Sequence, residues 1–236
     1  MCRVDDPQAD FPRIIDEEGY AAQPRDFAFV RVSLADARSL AARRKPLGFR
    51  SDEDWRVCVA ELHDALERAG DAGADVRLKG SAAEFFSRNP KKRFPQSEEE
   101  HAELAGDQRE ARRRWRTSPF SGSAILPSRC FWDARFRLGL DSEPSDYDVQ
   151  IASDALAALV RRAYPTGQDP GGRSIISSSG GQFRQEFVRE ELPSLSEWST
   201  RWTALLERQV NIALFSGAGP ASPISRFSDR DWVLSL

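Results

Sequence analysis

The segment Ser145-Asp-Tyr-Asp-Val-Gln-Ile-Ala152 alternates polar with apolar residues along most of its length. A repeat of two is the period of a β-strand, in which side chains i and i+2 share a face. Asp146 and Asp148 therefore project side by side, while Tyr147 turns to the opposite face and is expected in the core. Two neighbouring carboxylates repel, and each raises the other's pKa unless a cation sits between them. A fold built on this strand has to give it a sheet and give the two acids a counter-charge.

The rest of the chain supplies strands and helices in turn. Phe27–Val32 reads as a short strand, and Ser33–Ala42 as a helix ending near Lys45-Pro46-Leu47-Gly48. Ser51 followed by three acids is a helix-start signal. The helix behind it places Trp55, Val59, Leu62 and Leu66 on one face and stops at Gly70. Asp75–Lys79 alternates as a strand and ends at Gly80-Ser81, where Ser81-x-x-Glu84 matches a capping box. Asn89-Pro90 stops the helix predicted there. Residues 97–116 run from acids to bases, as suits a solvated helix or helix pair; a second reading has Arg112, Arg113, Arg114 and Arg116 touching phosphate or RNA. Phe131–Leu140 is expected against the core. Ser153 or Asp154 caps a helix to Ala163, and a Gly/Pro/Ser-rich loop to Gly181 surrounds a short strand at Ser174–Ser177. Gln182–Glu190 reads as a strand. Pro193–Glu207 is an amphipathic helix with Leu195, Trp198, Trp202 and Leu205 inward, and Gln209–Phe215 is a last strand. Residues 1–26 are expected to form an N-terminal arm, and residues 27–236 a single α+β domain.

Composition excludes several classes. The three cysteines, Cys2, Cys58 and Cys130, are odd in number and widely spaced, which argues against a disulfide framework or a zinc site. His63 and His101 are too few for a histidine cage and are expected at the surface. A net charge of −3 argues against a protein that coats nucleic acid. No apolar run approaches a membrane span, and the acidic N-terminus has neither signal- nor transit-peptide character, so no membrane partner is expected and the cytoplasm is the expected location.

The chemistry lies in two motifs taken together. Mg²⁺ prefers hard oxygen ligands and is commonly held by one or two carboxylates plus substrate phosphates, a role open to Asp146 and Asp148. Gly80 permits close approach of a ligand to the backbone. Ser81 offers a hydroxyl, and the helix start offers free N–H groups, to a phosphate. Leu-Lys-Gly-Ser81 followed by Pro-Ser-Asp-Tyr-Asp-Val149, each in a strand context, resembles the polymerase-beta-like nucleotidyltransferase superfamily. The chain also looks like bacterial nucleotidyltransferase-domain proteins that carry a Gly-Ser-Ala-x-x-Phe-Phe-Ser turn and a Ser-Asp-Tyr-Asp-Val-Gln strand, here Gly80–Ser87 and Ser145–Gln150.

The resemblance covers roughly residues 55–215. It implies a nucleotidyltransferase-like mixed sheet with helices on one side and two Mg²⁺ (or Mn²⁺) ions. It also implies transfer of a nucleoside monophosphate from a nucleoside triphosphate to a hydroxyl of an RNA end, a protein, a nucleotide or a small molecule. Asp146 and Asp148 would be metal ligands and catalytic. Gly80 and Ser81 would bind the nucleotide, and Lys79, Lys91 and Lys92, three of the four lysines, could meet its phosphates as point charges.

The chain departs from the pattern twice. About 65 residues separate Ser81 from Asp146, so residues of about 90–130 form an insertion beside the site. The third carboxylate that the superfamily places on a later strand falls at Asn211, so Glu186, on the predicted strand 182–190, is the candidate replacement. Without a third acid the chain would be a catalytically impaired nucleotide sensor or a partner-binding scaffold; a third reading is an interaction protein whose motifs are accidental.

Overall fold

The computed structural model describes residues 11–177, 180–222 and 226–234. In chain order the elements are α1 (Pro24–Phe29), α2 (Leu34–Ala41), α3 (Asp52–Ala69), β1 (Asp75–Lys79), α4 (Ser81–Glu84), α5 (Glu98–Leu104), α6 (Gln108–Thr117), α7 (Ala134–Leu138), β2 (Tyr147–Ala152), α8 (Asp154–Ala163), α9 (Gln185–Glu191), α10 (Pro193–Leu206), β3 (Val210–Phe215) and β4 (Trp232–Val233). This is an α+β chain with one four-stranded mixed sheet in the order β3-β2-β1-β4. Among the described residues no helix is long and apolar enough to cross a membrane. Where the sequence reads as one domain over residues 27–236, the chain groups into two compact units: Met1–Gly48 with Gly80–Ser145, and Phe49–Lys79 with Asp146–Leu236.

The second unit holds the sheet. β1 runs antiparallel to β2 and to β4, and β2 runs parallel to β3. A parallel pair needs a crossover, supplied here by the chain through α8, α9 and α10. The strands' alternation sorts their side chains. Val76, Leu78, Tyr147, Val149, Ile151, Val210, Ile212 and Leu214 are buried, and Arg77, Lys79, Asp148, Gln150 and Asn211 occupy the alternate positions. Helices α3 and α10 pack together, with Leu195, Trp198 and Trp202 buried as expected and Leu205, expected inward, exposed near the end of α10. The Trp198 indole donates to the Cys58 carbonyl at 3.0 Å and Trp202 to the Glu61 carboxylate at 2.9 Å, so both tryptophans are buried with their N–H groups satisfied, as they must be away from water. Cys58 is a buried free thiol.

The helix signals at Ser51 and Gly70 hold: the Ser51 hydroxyl accepts from Asp54 N–H, and Gly70 closes α3 at φ 97°. Ser153 caps α8 by accepting from Leu156 N–H at 3.0 Å and donates to the Asp71 carboxylate at 2.5 Å. Because Ser153 is buried, Ser153→Ala should lower unfolding free energy by about 1–2 kcal/mol, read from the urea midpoint.

The first unit is a helical body around stacked phenylalanines. Phe131 packs against Phe85 at 5.2 Å and Phe94 at 5.8 Å, and Phe94 meets Phe120 at 4.7 Å. The expected insertion lies wholly in this unit. So do residues 11–26, expected as an arm: Phe11 stacks on Phe27 at 4.8 Å, Arg25 donates to Ser123, and Ser128 donates to Asp16.

Two expected strands are helices. Phe27–Val32 falls in and just after α1, because Pro24 opens the helix and Asp26 accepts from Gln23 N–H at 2.7 Å. That turn buries Phe27 and Val30 at a spacing of three. Most of Gln182–Glu190 lies in α9, in which Phe187 and Val188 are buried, while Phe183 precedes the helix and bridges to Ile176. The short strand expected at 174–177 is reduced to isolated bridges, Gln168 with Ser174 and Ile176 with Phe183. The helix predicted from Ser81 to Asn89 is a single turn, since Phe85 leaves it at φ 71°. Ser81 does not cap that turn: Gly80 occupies the cap position and Ser81 is already helical.

Candidate functional site

The candidate site lies on the polar positions of the sheet in the second unit. Asp146 immediately precedes β2 and Asp148 is its second residue, so the alternation that buries Tyr147 and Val149 leaves both acids half-buried on the other side. Asp148 stands between two strands: opposite Lys79 in the antiparallel pair with β1, and level with Asn211 in the parallel pair with β3. Directly opposed residues share a face. Asp146, Asp148, Lys79 and Asn211 are thus brought together by register alone.

Asn211 takes the place where a third acid was sought. Its amide Nδ2 donates to Asp146 Oδ2 at 2.9 Å, and its Oδ1 accepts from Gln185 Nε2 at 3.5 Å. Glu186, the proposed replacement, is not on a strand. It lies in the first turn of α9, is exposed, and faces Arg173 at 3.6 Å. Among the described residues no three His, Cys, Asp or Glu side chains form a metal-binding group. The donor set of Asp146 and Asp148 suits one hard divalent cation whose remaining positions are filled by water and phosphate oxygens. Among the described residues no third carboxylate joins the pair.

Lys79 is nearly buried and engaged. Its ammonium donates to the Arg226 carbonyl at 2.8 Å and pairs with Asp231 at 3.0 Å, with the Phe227 ring 5.8 Å away. Arg77, two residues earlier on the same side of β1, lies over Phe227 at 4.6 Å and donates to Ser228 O. Asp231 is fully buried. Burial alone would raise its pKa, but hydrogen bonds from Ser228 N–H and from Lys79 outweigh it and hold the carboxyl below the usual range. A depressed carboxylate stabilises the fold at pH values above its unfolded pKa of about 3.9. That contribution is lost as pH falls through the lower folded value, so Asp231→Asn should flatten the acid limb of the stability–pH curve below about pH 4.

Gly80 and Ser81 follow Lys79 directly and belong to the first unit. Gly80 has φ 84° and ψ −173°, a conformation essentially confined to glycine. Gly80→Ala is expected to cost about 1–3 kcal/mol in thermal or denaturant unfolding. Because α4 is one turn, no helix dipole builds up behind Ser81; what remains for a phosphate is the Gly80 backbone and the Ser81 hydroxyl. Lys91 and Lys92 lie exposed in a turn of the first unit, their N–H groups bonded to Asn89.

Four of the five arginines of α6 face carboxylates. Arg112 and Arg116 meet Glu98, and Arg113 and Arg114 meet Glu110. Hydrogen bonds from Arg113 and then Arg114 pull the Glu110 carboxyl down to about 2. His101, expected at the surface, is buried with Nε2 at 3.0 Å from Leu138 O, and burial lowers its pKa.

Two residues of this site were not singled out from sequence. Gln185 sits where a strand was predicted, so its contact with Asn211 could not be placed. Asp231 arrives through β4, a two-residue strand too short to carry a periodic signal. No protein-family profile matches the chain, and no curated protein or solved structure matches it either.

Proposed function

We propose that the chain is a metal-dependent nucleotidyltransferase of the polymerase-beta-like kind, moving a nucleoside monophosphate from a nucleoside triphosphate to an acceptor hydroxyl. The observation that carries this reading is the placement of Asp146 and Asp148 on one side of β2, with Asp148 directly opposite Lys79, the last residue before Gly80-Ser81. Asp146 and Asp148 would hold Mg²⁺ or Mn²⁺ together with the triphosphate. When bound, the cation supplies charge neutralisation at the phosphates and a lowered pKa for an attacking hydroxyl.

This chain's own residues bind and orient. Gly80 and the Ser81 hydroxyl would offer backbone and a donor to a phosphate, and Asn211 donates to Asp146 and fixes that carboxylate's rotation. The acceptor oxygen forms a bond to the α-phosphorus as the bond from that phosphorus to the bridging oxygen breaks. Pyrophosphate leaves and the acceptor proton passes to solvent or a carboxylate. An RNA end, a protein, a nucleotide or a small molecule can supply the hydroxyl.

One observation favours a second reading, a nucleotide sensor that binds without transferring. Asn211 places an amide donor, not a carboxylate, against Asp146. Pyrophosphate release from each of the four ribonucleoside triphosphates, with Mg²⁺ or Mn²⁺ and a panel of hydroxyl acceptors, separates the two. Metal-dependent release supports the transferase. A metal-dependent rise in thermal midpoint with a triphosphate, but no pyrophosphate, supports the sensor.

A further inference from the structure

We infer that the solvent-facing side of α6 is a docking surface for the backbone of a single-stranded nucleic acid, with Arg109, Arg112, Arg113 and Arg116 meeting consecutive phosphates. These residues stand at positions i, i+3, i+4 and i+7 of the helix, which places all four on one face. Ala111 and Trp115 turn another side of α6 into the core. The stripe runs about 10 Å along the helix axis, the length of about three phosphates at the roughly 3.4 Å rise of a stacked strand. The groove beside it, about 480 Å³ in volume, is lined by the same four arginines against two acids, Asp107 and Glu110. The surface lies wholly in the first unit, and its occupancy does not depend on chemistry at Asp146 and Asp148.

The neighbouring carboxylates orient this stripe without cancelling it. Glu98 Oε1 lies 2.7 Å from Arg116 Nη2 and 3.4 Å from Arg112 Nη1, and Glu110 Oε1 lies 2.6 Å from Arg113 Nη2 and 2.9 Å from Arg114 Nε. Two acids thus serve four guanidiniums, and Arg109, whose N–H binds the Asp107 cap, has no ion pair among the described residues. The side chains of Arg113 and Arg116 remain largely exposed, and exposed pairs of this kind contribute little to stability. A guanidinium there can exchange carboxylate for phosphate at small cost, and its flat fork suits two phosphate oxygens. The net charge of −3 gives the chain no general attraction for a polyanion, so binding of one has to come from a local surface. Phe136 favours a nucleic acid over an acidic protein segment. It is exposed on α7, and its carbonyl accepts from Arg114 Nη1 at 3.4 Å; an aromatic ring beside a basic ridge gives unpaired bases a surface to stack on.

The test is fluorescence anisotropy of a labelled, mixed-sequence single-stranded RNA titrated with the full chain at low and at physiological salt. Combined Arg109→Gln, Arg113→Gln and Arg116→Gln should weaken binding tenfold or more at low salt. The slope of log affinity against log salt should fall by about 0.7 for each phosphate contact removed. Combined Arg56→Gln, Arg68→Gln and Arg201→Gln, which takes the same charge from exposed positions of α3 and α10, should stay within twofold of wild type. Glu98→Gln releases Arg112 and Arg116 and should tighten binding about threefold, a direction that a folding defect does not mimic. Phe136→Ser should weaken it about fivefold through lost stacking. A wild type that does not bind the RNA at low salt overturns the inference, as does a control triple variant as weak as the α6 triple. Unchanged affinity in Phe136→Ser, or displacement by polyglutamate as readily as by unlabelled RNA, overturns the nucleic-acid assignment and gives the face to an acidic protein.

Discussion

Pyrophosphate release by the Asp148→Ala variant is expected to fall about 100-fold or more below wild type. A cation at transferring phosphates is worth several kcal/mol of transition-state stabilisation, and about 1.4 kcal/mol corresponds to a factor of ten in rate. Loss of about 3 kcal/mol therefore removes two orders of magnitude. Asp148 is the acid flanked on both sides by neighbouring strands, Lys79 on β1 and Asn211 on β3. Among the described residues no third carboxylate joins the pair to take over as a ligand. Asp146→Ala should cost a similar factor, and the double variant little more than either single one, because two ligands of one ion act as a unit. The thermal midpoint measured in parallel tells a folding defect from a lost ligand. Activity within threefold of wild type in Asp148→Ala would remove the acid pair from the mechanism.

How much of this was legible beforehand depends on the length of each signal. α3 runs 18 residues with a serine at one end and a glycine at the other, and its boundaries follow from those residues. β2 and β3 each alternate buried and half-buried positions over their first five residues. The stretches 27–32 and 182–190 failed because six to nine residues with apolar positions two apart fit a helical turn nearly as well. Local chemistry then decided: Pro24 and Asp26 start α1, and the adjacent buried pair Phe187 and Val188 fits one face of α9 but not the alternation of a half-buried strand. Phe85 is a separate case. Its φ of 71° ends α4 after one turn, and nothing in Phe85-Phe86 announces a left-handed residue. In the site, alternation placed Asp146 and Asp148 correctly on one side of a strand, and the amide at 211 was read at the level where β3 brings it beside Asp148. The Asn211 hydrogen bond to Asp146 and the approach of Asp231 depend on register between distant segments, which a single sequence does not encode in any short pattern.

The largest stability effect is expected at Phe131. Its side chain is 2% exposed and lies within 6.5 Å, ring to ring, of Phe29, Phe85, Phe86, Phe94 and Phe120. Phe131→Ala removes apolar surface from the centre of the first unit and opens a cavity that five rigid rings cannot collapse to fill. Such substitutions cost about 3–5 kcal/mol, and the lost ring-to-ring contacts place this site toward the upper end. Phe131→Leu keeps most of the volume and should cost about 1.5 kcal/mol, the excess over a well-tolerated swap reflecting lost aromatic geometry. Denaturant unfolding followed by tryptophan fluorescence reads the effect where it arises, since Trp132 is buried next in sequence and its N–H is bonded to Phe85 O at 2.8 Å. Total stabilities of folded domains are about 5–15 kcal/mol, so a loss of this size shifts the midpoint far outside experimental error. A change under 1 kcal/mol would mean that the six rings do not pack as a unit and that the first unit draws its stability from the helices around them.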